Sequence, residues 1–125
     1  MMSSYYDKLC DRTKVFARDV VFLCREIQQA PETKTICYQL IRSSTSVAAN
    51  YRALRRARSR KEWYAKLSIV IEEIDETCFW LDFLAEMQTA PEAKRKVLLS
   101  ESEALTKIFA KTRSTAKNND QRKSE

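Results

Sequence analysis

The chain contains no glycine among its 125 residues and only two prolines. Glycine is the residue that takes positive φ without a steric penalty. Its absence removes the usual chemistry of tight hairpin turns and of glycine-rich loops that cradle phosphate. Charged residues make up 32% of the chain. A glycine-free, highly charged chain of this length is expected to be all-α, one domain of long helices joined by short connections.

The apolar spacing supplies four such helices. In the first, from about Tyr5 to Gln29, Leu9, Thr13, Phe16, Val20, Leu23 and Ile27 recur at alternating steps of three and four, the seam of a helix packed on long neighbours. The second, from about Glu32 to Ala57, carries a narrower seam of Ile36, Leu40, Ser43, Val47, Asn50 and Leu54. Ser59-Arg60-Lys61-Glu62 reads as a capping box that starts the third helix, with Trp63, Leu67, Val70, Ile74, Thr77, Leu81 and Leu84 inward. The fourth runs from about Pro91 to Lys111, with Val97, Leu98, Leu105, Ile108 and Phe109 inward. "QQAPETK" (Gln28–Lys34) and "QTAPEAK" (Gln88–Lys94) each join two helices and place Pro in the first helical turn, where its missing N–H costs nothing. The echo suggests either duplication or two turns with the same capping chemistry. Short connections favour an antiparallel up-down-up-down four-helix bundle. The expected division is a bundle over residues 1–112 and a disordered basic tail over 113–125, "RSTAKNNDQRKSE", which has almost no apolar content.

Several function classes are disfavoured. There is no histidine, and Cys10, Cys24, Cys37 and Cys78 form no C-x-x-C pair, so neither a metal site nor a cofactor is expected. The cysteines read as reduced, mostly buried thiols. Glu72, Glu73, Asp75 and Glu76 lack the Glu-x-x-His partner of di-iron bundles and read as a solvated or ion-paired face. No nucleophile–base pair or glycine-rich loop points to an enzyme. "MMSSYYDK" has no apolar signal core and no run reaches transmembrane length, so the chain is expected to be cytoplasmic and away from membranes.

Charge is concentrated. Arg42 to Lys66 holds eight basic residues and one acid, Glu62, a balance of +7 where the whole chain carries +6, so the remainder sums to −1. On a helical wheel, Arg42, Arg52 and Arg56 share an outward face floored by Ala49 and Ala53. Arg58, Arg60 and Lys61 continue it at the corner between the second and third helices. Cations favour the C-terminal end of a helix, which accounts for part of Arg55, Arg56 and Arg58. The candidate nucleic-acid contacts are therefore Arg42, Arg52, Arg55, Arg56, Arg58, Arg60 and Lys61, with Tyr51, Trp63 and Tyr64 near enough to stack on bases or to serve in the core.

"CFWLDFLA" (Cys78–Ala85) is apolar at seven of its eight positions. Leu81 and Leu84 face inward, Phe79 and Phe83 fall opposite, and Ile69 and Trp80 lie on a flank. A helix apolar nearly all round is buried nearly all round. Ile69, Phe79, Trp80 and Phe83 are the candidate oligomer interface, since aromatics are enriched in such patches. The alternatives are a twisted bundle that covers them or a cover supplied by the tail.

The stretch from Ser43 to Leu84 resembles the four-helix-bundle proteins encoded by intervening sequences in bacterial 23S rRNA genes. The resemblance rests on Ser46, Asn50, Arg52, Arg55, Arg58, Ser59, Glu62, Trp63, Glu72, Glu73 and Glu76 in that order, and the layout fits over about residues 1–115. Where many members carry Ala-Glu-Gly, this chain has Arg52-Ala53-Leu54, a more basic variant. The resemblance implies an antiparallel bundle that assembles as a ring of five subunits. Related bundles are accessory subunits of the reverse transcriptases of diversity-generating retroelements, which implies nucleic acid and such an enzyme as partners. Two non-enzymatic functions compete: a homo-oligomer that binds nucleic acid, RNA ahead of DNA, through the basic corner, and a protein scaffold or accessory subunit whose arginines meet carboxylates of a neighbour or partner.

Overall fold

The computed structural model describes residues 4–124. Helix α1 spans Tyr5–Arg25 and α2 spans Pro31–Ala53, continued by a 3-10 turn at Leu54–Arg56. Helix α3 spans Arg60–Phe83, continued by a 3-10 turn at Leu84–Met87, and α4 spans Glu92–Ser124. No strand occurs among the described residues. Side chains pair low numbers with high ones across neighbouring helices. Tyr6 reaches the Arg52 carbonyl and Cys24 the Cys37 carbonyl across α1 and α2. Arg12 meets Glu101 and Glu26 meets Lys94 across α1 and α4. Arg60 meets Asp120 while Arg95 reaches the Leu81 carbonyl across α3 and α4. That opposed order is the one antiparallel neighbours produce.

The helix starts follow capping chemistry, not always at the expected place. Ser4 accepts from the Asp7 N–H at 3.0 Å, and Asp7 returns a bond from the Ser4 N–H at 3.4 Å. This is a complete capping box. At α3 only half of the expected box forms. Ser59 accepts from the Glu62 N–H at 3.1 Å, but the Glu62 carboxylate turns to Arg58 and Lys66 instead. Pro31 opens α2, and the Ala30 N–H donates to Thr33 Oγ1 at 2.9 Å. The echoing connection has Ala93 in place of Thr33 and solves its turn differently. Gln88 there sits at φ 55°, ψ 32°, the one left-handed residue among those described. In a chain without glycine a Gln takes that conformation, at a cost of about 1 kcal/mol. The two connections are thus alike in sequence and unlike in backbone.

The predicted seams form the core. Leu9, Thr13, Phe16, Val20, Leu23 and Ile27 are all buried, as are Leu67, Val70, Ile74, Thr77, Leu81 and Leu84. Trp63 is half-buried at the end of its seam. In α2 the expected inward Asn50 is only half-buried, its amide donating to the Ser46 carbonyl at 2.9 Å. Tyr51 takes the buried place, stacked on Tyr6 at 5.4 Å and tilted against Phe109 at 5.3 Å. In α4, Leu98, Leu105 and Phe109 are inward and Ile108 is half-buried, but Val97 is 69% exposed. The true α4 seam includes Arg95 and Ser102, both buried. It keeps the three-and-four step through residues that are not apolar.

Residues 113–124, expected to be disordered, instead continue α4 without a break to Ser124. The extension lies against the start of α3, where Asp120 accepts from Arg60 Nη2 at 2.8 Å and from Tyr64 Oη at 2.6 Å. No helix among the described residues is long and apolar enough to cross a membrane.

Candidate nucleic-acid interface

The basic corner is built from the last turn of α2, the 3-10 turn after it, the connection at 57–59 and the first turn of α3. Arg52, Arg55, Arg56, Arg58, Arg60 and Lys61 are all exposed there. The structure divides them by their partners. Arg55 meets Asp7 at 2.7 Å and lies over the Tyr6 ring at 4.8 Å from its centroid. Arg58 meets Glu62 at 3.4 Å, and Arg60 is held by Asp120. Arg52, Arg56 and Lys61 enter no ion pair among the described residues.

Arg42 stands apart from this group. It lies ten residues before Arg52, about 15 Å along the helix. Each of its three guanidinium nitrogens has an acceptor: Gln39 accepts from its Nε at 3.0 Å, Glu73 from Nη1 at 3.1 Å, and Glu76 from Nη2. Hydrogen bonding to Arg42, more than any other cause, holds the Glu76 carboxyl below its ordinary value. Part of the acidic run of α3 is thus matched to an arginine of the same chain, while Glu72 and Asp75 are exposed.

Beside Arg52 and Arg55 is a hollow of about 510 Å³ between α1 and α2, floored by Ala48 and Ala49. Lys14 and Asp11 of α1 complete its rim. Of the expected floor, Ala49 lies beside Arg52 as its spacing suggested, whereas Ala48 takes the place of Ala53 and neither Arg42 nor Arg56 lines the hollow. Lys14 was not foreseen, because it belongs to another helix and no local pattern links it to Arg52.

The three candidate stacking residues have different fates. Tyr51 is 3% exposed and belongs to the core. Tyr64 donates its hydroxyl to Asp120. Trp63 is half-buried and lines an open cleft between α3 and α4. The Arg60 guanidinium sits 5.2 Å from the Trp63 ring centroid and 5.4 Å from that of Tyr64, within reach of cation–π attraction. The Asp120 carboxyl is held below its ordinary value, first by the Tyr64 hydroxyl and then by Arg60.

The outer side of α3 carries the second surface. Phe79 is 56%, Ile69 41% and Phe83 38% exposed, and Trp80 is half-buried. The Phe79 and Phe83 rings stack at 5.8 Å, with Trp80 edge-on to both. Neither a bundle twist nor the tail covers this cluster. Asp120 anchors the α4 extension at Arg60 and Tyr64, and Phe79 lies fifteen residues beyond Tyr64, about 22 Å further along α3.

The sequence profile of the 23S rRNA-intervening sequence proteins matches residues 8–111. The chain belongs to the 23S rRNA-intervening sequence protein family. The match runs from α1 through the first part of α4 and stops short of the helical extension at 112–124. One similar solved structure is the crystal structure of a protein of unknown function from the S23 ribosomal protein family of Bacteroides thetaiotaomicron. It shares 27% sequence identity with this chain at a TM-score of 0.75. The alignment covers 86% of this chain and 96% of that one. No curated protein sequence matches the chain. The family and the solved structure thus agree on the helical fold.

Proposed function

We propose that this member of the 23S rRNA-intervening sequence protein family is a non-enzymatic homo-oligomer, a ring of five subunits, that binds nucleic acid at its α2–α3 corner, with RNA as the favoured ligand. The observation that carries the reading is the exposed trio Arg52, Arg56 and Lys61, which share one corner without a carboxylate partner among the described residues. Phosphate binding requires clustered, accessible cations. Arg58, whose side chain is 88% exposed beside Glu62, can change partners at little cost, since exposed pairs contribute at most about 1 kcal/mol.

Salt titration tests this. Each phosphate neutralised on a single strand lowers log K by ~0.7 per unit of log salt, so three contacts give a slope near −2 per subunit. Replacing Arg52, Arg56 and Lys61 together with Gln is expected to flatten that slope while helicity stays unchanged. Equal affinity and slope in wild type and variant would reject the corner as the contact.

A second reading is a protein scaffold or accessory subunit, with a reverse transcriptase among the candidate partners. It draws on Glu72 and Asp75, which are exposed on α3 and enter no ion pair among the described residues, so the arginines of a neighbour or partner can reach them. A wild-type protein that binds no RNA at low salt would favour it.

A further inference from the structure

We propose that the cleft between the starts of α1 and α3 and the last turns of α4 is a nucleobase subsite, in which one unpaired base of an RNA strand stacks beside Trp63. The inference rests on the nucleic-acid reading above and adds a second kind of contact to it. The cleft holds about 700 Å³, within the usual span of small-molecule sites, ~300–1,000 Å³. Its walls combine what a nucleotide needs. Trp63 and Tyr5, the latter 64% exposed, supply aromatic surface for the face of a base. Asn119 on α4 supplies both a donor and an acceptor for its edge. Lys111 and Lys123 stand on the same wall and enter no ion pair among the described residues, so they are available to the flanking phosphates.

Trp63 is an unusual end to its seam. The next seam residue, Leu67, is fully buried, whereas Trp63 keeps one side open to the cleft. Arg60, though 58% exposed, is tethered beside it. Asp120 binds Arg60 with two oxygens, at 2.8 and 2.9 Å, and the guanidinium is thereby held over Trp63 and Tyr64. An indole ring and a positioned guanidinium are both planes on which unpaired bases stack. Charge favours a nucleic acid over an acid-seeking ligand. Among the described residues, Asp120 is the one carboxylate lining the cleft and is already paired with Arg60, against Arg60, Lys111 and Lys123.

The test compares an oligouridylate with an abasic ribose–phosphate oligomer of equal length, which keeps the charge and removes the bases. Wild type is expected to prefer the oligouridylate about tenfold or more, the usual effect of one base–aromatic stack. Trp63→Ala should bring the two affinities together. Because Trp63 also packs on the core, Ala116→Leu provides a second variant: it crowds the cleft from α4 with no new aromatic plane and Trp63 in place, and should also erase the preference. Equal wild-type affinity for both oligomers overturns the subsite and leaves the phosphate corner standing. A base preference that survives either variant in folded form also overturns it. Binding of neither oligomer removes the corner and the subsite together.

Discussion

Replacing Phe79 and Phe83 together with Glu tests the assembly most directly. In the single chain the two rings are 56% and 38% exposed. A free phenylalanine ring offers ~200 Å², so covering both against a neighbour removes ~190 Å² of apolar surface from water. At ~25 cal/mol per Å² this contributes about 5 kcal/mol to each interface. Association costs on the order of 4–15 kcal/mol in lost freedom, so the pair cannot hold two subunits alone. In the proposed oligomer Ile69, Trp80 and the partner surface would have to contribute the rest. Losing about 5 kcal/mol weakens the interface by three to four orders of magnitude, and two carboxylates that must be desolvated weaken it further. Sedimentation velocity at micromolar concentration is the assay. Wild type is expected as an oligomer and the double variant as a folded monomer. Both rings lie outside the bundle core, so the variant should keep its helicity, while its melting temperature falls as the stabilisation by association is lost. A wild type that sediments as a monomer, or a variant that sediments as wild type does, would refute the reasoning.

Three further outcomes test the interior and its charges. Thr77 Oγ1 lies 2.8 Å from Ser43 Oγ inside the α2–α3 seam, both residues fully buried. Each hydroxyl also has a backbone carbonyl, Glu73 for Thr77 and Leu40 for Ser43, so Thr77→Val and Ser43→Ala are each expected to cost about 1 kcal/mol by urea unfolding, and the double variant less than their sum, because both singles lose the same bond. Glu76 is held below its ordinary value of 4.5 by Arg42. Its contribution is therefore present above that value and is lost as pH falls through the lower folded value. The stability gap between wild type and Arg42→Gln should close over that acid range; a gap independent of pH there would contradict the pairing. Burial pushes the thiols of Cys24 and Cys37 up. Alkylation of the native protein should reach the half-buried Cys10 and Cys78 first, which mass mapping of the labelled peptides checks.

What could be read in advance was whatever repeats locally. The α1 and α3 seams were legible because three-and-four spacing is a property of neighbouring residues on one helix. The place of Tyr51 was not, since both Asn50 and Tyr51 continue the step from Val47 to Leu54. Only the rings of Tyr6 and Phe109, contributed by other helices, decide which turns inward. Arg95 escaped for a related reason. A charged residue is an unlikely seam member until its guanidinium is seen bonded to Glu92 and to the Leu81 carbonyl. At the basic corner the cluster of cations was legible and the division among them was not. Asp7, Glu62 and Asp120 settle which of its arginines are occupied, and the first and last lie 48 and 60 residues from the arginines they hold.

The tail shows the limit of a compositional argument most clearly. Residues 113–124 have little to bury, and taken alone a segment that short would be a marginal helix. But they are not alone. They follow a helix already fixed by Leu98, Leu105 and Phe109, so the costly nucleus exists and each added residue only propagates it. No glycine or proline interrupts the chain from Glu92 to Ser124. Arg122 and Lys123 in the last turn suit the negative end of the helix dipole. Asp120, eleven residues and three turns beyond Phe109, then returns to the bundle and ties the extension to Arg60 and Tyr64. The basic residues of the tail are therefore held on a helix at set angles to the α2–α3 corner. Lys123 of the tail bounds one cleft with Lys111 and with Arg60 of the corner, so the tail and the corner present their cations on one continuous surface.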